Sequence, residues 1–326
     1  MITRREKFGA YAAWLAVCLF WGTTYLAIRI GLETLPPMLF AGLRFFAAGS
    51  VVVAFMRIWR GARLPCGRRE WWNLSFIGLT LLGVGNGFVV WAEQSVPSGM
   101  AALLVATSPF WGAGLERIRA NGERTGGRAI FGMIIGFTGL ALLIAPQLFG
   151  TSLSKPYLLG VVALQIACAS WSAGSVYSKH HPVALAPMMS AGIQMLVAGV
   201  ALIFVGTLTG EWSSLHFSAR SFAAFIYLIL FGSIIAYGSY IYAIQKLPLT
   251  LVSTYSYVNP LIAVLLGWLI LNEQVGWRVI GAACMILAGV VIVKTAPPPG
   301  RAAEETKQHE EGGLLTSAKP CSVATD

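Results

Sequence analysis

FWGTTYLAIRIGLETLPPMLFAGLRFFAAG, residues 20–49, decides how the chain folds. Two apolar runs flank a short break ending at Pro36 and Pro37, and each run carries one guanidinium, Arg29 and Arg44. About 20 predominantly apolar residues cross the hydrocarbon core as a helix, so the stretch reads as the end of one membrane span and much of the next. An arginine at the centre of such a helix costs at least about 2.5 to 3.5 kcal/mol, so it needs a water-filled cavity or a partner. A chain that keeps Arg44 there has a use for it.

The whole chain repeats this pattern. Of its 326 residues 56% are hydrophobic and only 11% charged, against roughly a quarter charged in a water-soluble domain. Apolar stretches fall at about residues 10–30, 36–56, 72–92, 98–116, 128–146, 157–177, 184–207, 220–243, 250–270 and 278–295. The first follows basic residues, yet it is too long for a signal peptide and lacks a small-x-small site at its end, so it reads as a retained helix. Cys18, Cys66, Cys168, Cys284 and Cys321 form no CxxC pair. The histidines lack the i, i+4 spacing of a metal site, and neither a metal nor a cofactor is expected.

The net charge of +10 is informative through its distribution. With the N-terminus cytoplasmic, eighteen of the 23 Lys and Arg residues gather at cytoplasmic loops and ends, among them Arg57, Arg60, Arg63, Arg68 and Arg69, while Arg29, Lys155, Arg220 and Arg278 fall on the other side. Such a bias sets orientation. It places both termini inside and implies contact with anionic membrane lipids rather than nucleic acid. Residues 1–9 then form a cytoplasmic N-terminus, and 296–326, which open on PPPG and turn polar, a disordered cytoplasmic tail.

An internal repeat organises the rest. Trp21 and Trp171, Pro37 and Pro187, Gly42 and Gly192, Gly49 and Gly199, Arg128 and Arg278, and Gly139 and Gly289 are each 150 residues apart. At an offset of 151, AEQSVP (92–97) matches AIQKLP (243–248) and SPF (108–110) matches NPL (259–261). Residues 10–146 and 157–295 are thus two copies of a five-helix unit. Five is odd, so the second copy enters the bilayer from the opposite face. The expected fold is an all-α polytopic membrane protein of ten transmembrane helices in two inverted repeats, an architecture of secondary transporters that open a midplane site to either side in turn.

WGTTYLAIRIGLETLPPMLFAGLRFFAAG (21–49), GVGNGFVVWAEQSVPSGMAALLVATSPFW (83–111) and NPLIAVLLGWLILNEQVGWRVIGAACMILAGVVIV (259–293) resemble the EamA-type ten-helix members of the drug/metabolite transporter superfamily. The similarity runs over residues 10–295. It implies an inner-membrane carrier, of a kind that often exports amino acids and other small metabolites. In the second half Glu273 matches the helix-end glutamate of that family, whereas in the first half Glu116 and Glu123 compete for the equivalent place.

Helical spacing nominates the residues of a pathway. Trp21 and Tyr25 form a stripe leading to Arg29, and Arg44 lies on a face with Ala41 and Ala48. Glu93, on one face with Asn86, is the acid expected to pair with the two arginines; snorkelling to the interface also accounts for Arg29. Gln165, Ser172 and Ser175 share a side of the sixth span near Trp171. Ser233, Tyr237 and Tyr240 share one in the eighth, and Tyr255 and Asn259 in the ninth. Together these residues suit a small amphipathic solute, with aromatic walls for its apolar part and convergent polar groups for its polar end.

Phosphate-cradling loops, nucleophile elbows and paired acidic motifs are missing from the sequence. That favours a secondary carrier over an ATP-driven pump or an enzyme, with protons as a coupling ion through Glu93 and facilitated exchange both open, along with a homodimer. The alternatives are a membrane-embedded enzyme on lipid-linked substrates, and a receptor or assembly partner that transports nothing.

Overall fold

The computed structural model describes residues 4–118, 127–149, 154–247, 252 and 255–295. The tail 296–326 and Glu123 lie outside them, as does the side chain of Glu116. Each apolar stretch read from the sequence is helical over most of its described residues, and the described residues contain no strand. The helices are α1 (Arg4–Gly31), α2 (Pro37–Ile58), α3 (Arg68–Ala92), α4 (Ser98–Val105), α5 (Ser108–Ile118), α6 (Gly127–Phe149), α7 (Lys155–His180), α8 (Pro187–Leu208), α9 (Ala219–Lys246), α10 (Tyr255–Leu271) and α11 (Trp277–Thr295). Among the described residues α1, α2, α3, α7, α8 and α9 are long and apolar enough to cross a membrane. Shorter apolar segments fall at Ile130–Leu142, Val258–Leu271 and Trp277–Val293.

The stretch 98–116, expected as one helix, is broken into α4 and α5 at Ala106 and Thr107. Pro109 explains the break. It has no N–H and its ring excludes a regular preceding turn, so it sits in the first turn of a new helix instead.

Contacts between helices come in matched pairs. Equivalent helices of the two halves pack on each other, α2 on α8 and α6 on α11. The contacts of α1 with α9 and α10 are mirrored by those of α7 with α3, α4 and α5. Outward faces are apolar, with Phe131, Phe204 and Leu265 more than half exposed.

Small residues set the spacing at the two like-with-like contacts, as in membrane helix pairs generally. A Cβ at Gly199 would lie 2.5 Å from the Phe46 amide nitrogen and 3.0 Å from Gly42 O, and one at Gly289 would lie 2.5 Å from Gly132 O. Backbone cannot retreat as a flexible side chain can. The repeated glycines of the sequence are therefore the surfaces on which the halves meet.

Two acidic side chains tie helix N-termini to distant elements. Glu211, in a short 3₁₀ turn after α8, accepts from Met38 N at 3.3 Å and Leu39 N at 2.8 Å. Glu273, just past α10, accepts from Ser98 N and Ser98 Oγ, both at 2.7 Å, and from Gly99 N at 3.0 Å. Pro36, Pro37 and Pro97 mark these starts, where the first N–H groups have no partner within the helix. A carboxylate there also complements the helix dipole. The helix-end glutamate thus has a physical role as a cap borrowed by the other half of the chain.

Glu273→Ala should lower stability by about 1.5 to 3 kcal/mol, the usual worth of hydrogen bonds to a charged group. A reduced unfolding midpoint in detergent would register it, and an unchanged midpoint would refute the capping role. Gly199→Ala should likewise unfold earlier than Gly114→Ala, because a Cβ at Gly114 meets nothing within 4 Å.

Candidate functional site

The centre of the bundle holds a cavity of about 80 Å³ bounded by helices from both halves. Trp21 and Tyr25 reach it from α1, Arg44 from α2, Asn86 from α3, Trp171 from α7, Tyr237 from α9, and Tyr255 and Asn259 from α10. Volume on this scale holds about half a dozen waters. These eight are the nominated residues that the structure brings together.

Two departures from α-helical winding shape the cavity. Leu79–Asn86 in α3 and Leu228–Tyr237 in α9 are π-helical, at equivalent places in the two halves. Such segments are wider than an α-turn and recur at functional sites. Asn86 and Tyr237 both sit at the end of their π segment and both line the cavity. Side chains from the neighbouring helices bond the π-segment carbonyls: Trp21 Nε1 donates to Gly232 O at 3.2 Å, and Ser170 Oγ to Thr80 O at 2.8 Å. Trp21 is therefore both wall and brace.

Arg44 is 3% exposed. Its Nε donates to Ser233 Oγ at 2.9 Å, and its Cζ lies 4.4 Å from the centroid of the Phe45 ring, a cation–π contact. The expected hydrogen-bonded pair with Glu93 is not formed. Glu93 is fully buried beyond the cavity, and neither of its carboxylate oxygens has a hydrogen-bond partner. The reason is height along the helix: Val89 is the last residue of α3 on the cavity wall, and Glu93 lies four residues past it, about 6 Å at 1.5 Å per residue. Arg29 does meet Glu93, but through its backbone, with Nη1 donating to the Glu93 carbonyl oxygen. That contact replaces free snorkelling.

The remaining nominated residues serve around the cavity. Gln165 Oε1 accepts from Trp111 Nε1 at 3.1 Å and Thr107 Oγ1 at 3.2 Å, tying α7 to the break between α4 and α5. Ser172 Oγ donates to Ser108 O at 2.9 Å, and Ser175 Oγ to Trp171 O at 2.8 Å. Asn259, with its amide turned to face two carbonyls, donates to Cys18 O at 3.0 Å and Tyr255 O at 3.1 Å.

Ser175 and Tyr240 instead line a second cavity of about 530 Å³ among α3, α7, α8 and α9, together with Lys179, Ser190 and Gln194. Aromatic rings stand between the two spaces. Tyr240 lies 5.1 Å from Trp21, 5.8 Å from Trp171 and 6.0 Å from Tyr255, centroid to centroid, and Trp21 meets Trp171 edge-on at 5.5 Å. Tyr237, on the cavity wall, donates its hydroxyl to Gln194 Oε1 at 2.5 Å. Gln194 escaped the sequence reading. One signal pointed to it, since it stands 150 residues after Arg44 and holds the same place in the second half.

Among the described residues no group of three His, Cys, Asp or Glu side chains is placed to hold a metal ion. The chain is 40% identical over 294 residues to the "Uncharacterized inner membrane transporter YedA" of Escherichia coli (strain K12), covering 89% of this chain and 92% of that protein. It is 27% identical over 291 residues to the "Probable amino-acid metabolite efflux pump" of the same strain, covering 85% and 92%. A solved crystal structure matches with a TM-score of 0.64 at 21% identity, over 87% of this chain and 95% of the other, which concerns the fold alone. The model of the EamA-like transporter family matches twice, at residues 8–145 and 158–295. The chain belongs to the EamA-like transporter family.

Proposed function

We propose that this protein is a secondary transporter of the inner membrane that exports small metabolites such as amino acids, without enzymatic activity. Ten spans form two inverted five-helix repeats, both termini are cytoplasmic, and the halves rock about the central cavity to open it to either side in turn. One observation carries the reading: a cavity built from equivalent helices of both halves, with aromatic rings between it and a second, larger cavity. The matched helix contacts support a two-fold relation between the halves, and the odd number of spans read in each half supports its being inverted. The bias of Lys and Arg among the loops supports the orientation. Names given to the relatives, an inner-membrane transporter and an efflux pump for amino-acid metabolites, support compartment and direction.

In this reading the second cavity, beside Lys179 and the C-terminal end of α9, is the cytoplasmic vestibule, and Tyr237, Tyr240, Trp21 and Trp171 form the inner gate. Glu93 is the acid through which protons would couple to the cycle, being buried with both carboxylate oxygens unpartnered. It lies in electrostatic range of Arg29 and Arg44.

Purified protein in sealed liposomes should catalyse counterflow of labelled amino acids, and Gln194→Leu, which removes the acceptor of Tyr237, should change the rate severalfold. Binding of the same solutes with no flux would instead favour a receptor. Single cysteines placed at 60–70 and at 272–278 should react with impermeant reagents from opposite faces of the membrane. Labelling of both from one face would end the inverted-repeat reading.

A further inference from the structure

The segment joining α2 to α3 carries charge that the rest of the protein does not use. Between residues 57 and 72 stand five arginines, Arg57, Arg60, Arg63, Arg68 and Arg69, against a single acid, Glu70. Glu70 is already occupied: it takes a bidentate bridge from Arg63 at 2.7 and 3.0 Å and accepts from Cys66 N at 3.1 Å. Arg63 also donates to Ala184 O at 2.8 Å, fastening the loop to the segment between α7 and α8. The other four arginines are exposed, and among the described residues none of them makes a hydrogen bond or an ion pair. Four guanidiniums are therefore left without a counter-charge on one short stretch.

Large apolar side chains are interleaved with them. Ile58 is 75% exposed, Trp59 77%, Trp72 66% and Trp71 44%. Both α2 and α3 are long and apolar enough to cross a membrane, and the loop between them is folded back on α2 by the bond from Ala62 N to Met56 O at 2.9 Å. The stretch thus stays at the bilayer surface. Tryptophan beside arginine suits the headgroup layer, where an indole ring meets the upper acyl chain and a cation meets phosphate.

The second half supplies a comparison. Residues 207–222 stand 150 positions later, at the same place between α8 and α9, and carry one arginine and one glutamate. That arginine, Arg220, is paired with Glu33 at 3.4 Å, and that glutamate, Glu211, caps α2. The fold therefore does not require a basic connection here. Orientation of the chain accounts for positive charge on this side of the membrane. It accounts neither for the crowding of that charge among three exposed tryptophans nor for the engagement of the one local acid by Arg63.

We infer that the connection between α2 and α3 is a binding site for an anionic phospholipid of the surrounding membrane. Arg57 and Arg60 at the end of α2 and Arg68 and Arg69 at the start of α3 take its phosphates, and Trp59, Trp71 and Trp72 cover its glycerol and the first carbons of its chains. Four free guanidiniums suit a lipid with two phosphodiesters better than one with a single phosphate. A soluble anion would leave the indole rings in water. The bond from Arg63 to Ala184 puts the bound lipid beside the second cavity, whose wall includes Pro182, Val183 and Leu185. The site goes beyond the transporter reading and stands whether or not the protein carries a solute.

The test titrates the full chain in detergent micelles with diphosphatidylglycerol, phosphatidylglycerol and phosphatidylcholine, and counts bound lipid by native mass spectrometry. Wild-type protein should bind diphosphatidylglycerol at least about tenfold more tightly than phosphatidylcholine, since each arginine at an anionic surface is worth about a fivefold gain. Raising salt from about 0.1 to about 1 M, which cuts the screening length from about 10 to about 3 Å, should remove most of that preference. Arg68→Gln should weaken binding about fivefold, and Arg57→Gln, Arg60→Gln, Arg68→Gln and Arg69→Gln together at least about tenfold. Arg4→Gln, Arg5→Gln, Lys7→Gln and Lys294→Gln together remove the same number of positive charges elsewhere and should leave the affinity nearly unchanged. Equal binding of diphosphatidylglycerol and phosphatidylcholine, a preference indifferent to salt, or equal losses in the two combined variants overturns the site. So does glycerol 1-phosphate competing as well as the whole lipid, which would mark a soluble anion as the ligand.

Discussion

Inside the hydrocarbon no backbone N–H or C=O can turn to solvent for a partner, and each unsatisfied group costs several kcal/mol. The departures from regular helix in this protein follow from that constraint. The π segments of α3 and α9 sit against the central cavity, and side chains of Trp21 and Ser170 bond their carbonyls. The break between α4 and α5 is held by Gln165 and Ser172. The proline-marked starts of α2 and α4 receive Glu211 and Glu273 from the other half. Irregular backbone is thus confined to places where protein atoms or a polar space can satisfy it.

The same economy governs charge. Arg44 is tolerable because a serine hydroxyl, an aromatic face and a cavity replace part of its lost hydration. Its equivalent in the second half is the neutral Gln194, engaged with Tyr237. The two like halves therefore differ at this position, with a cation lining one cavity and an amide lining the other.

Close helix contact and central space are linked. Gly42, Gly49, Gly192 and Gly199 bring α2 and α8 nearly backbone to backbone, while Gly132 and Gly289 do so for α6 and α11. Bulk that these contacts exclude is concentrated in the middle, where Trp21, Trp171, Tyr240 and Tyr255 meet.

Composition and periodicity by themselves determined that the chain is helical and built for a membrane, because lipid leaves few ways to satisfy a backbone. The 150-residue echo of Trp21, Gly42 and Gly49 showed that the chain is made of two like halves, and Arg44 stood out because buried charge is expensive. Only the tertiary structure decided the partners. Helical spacing fixes which residues share a face, but not how far one helix slides past another, so Glu93 ended about one turn past Val89, the last residue of α3 on the cavity wall, and Ser233 took its expected place beside Arg44. Spacing also leaves neighbours three apart about 60° from each other around the helix, and Tyr237 and Tyr240, read as one face, line different cavities.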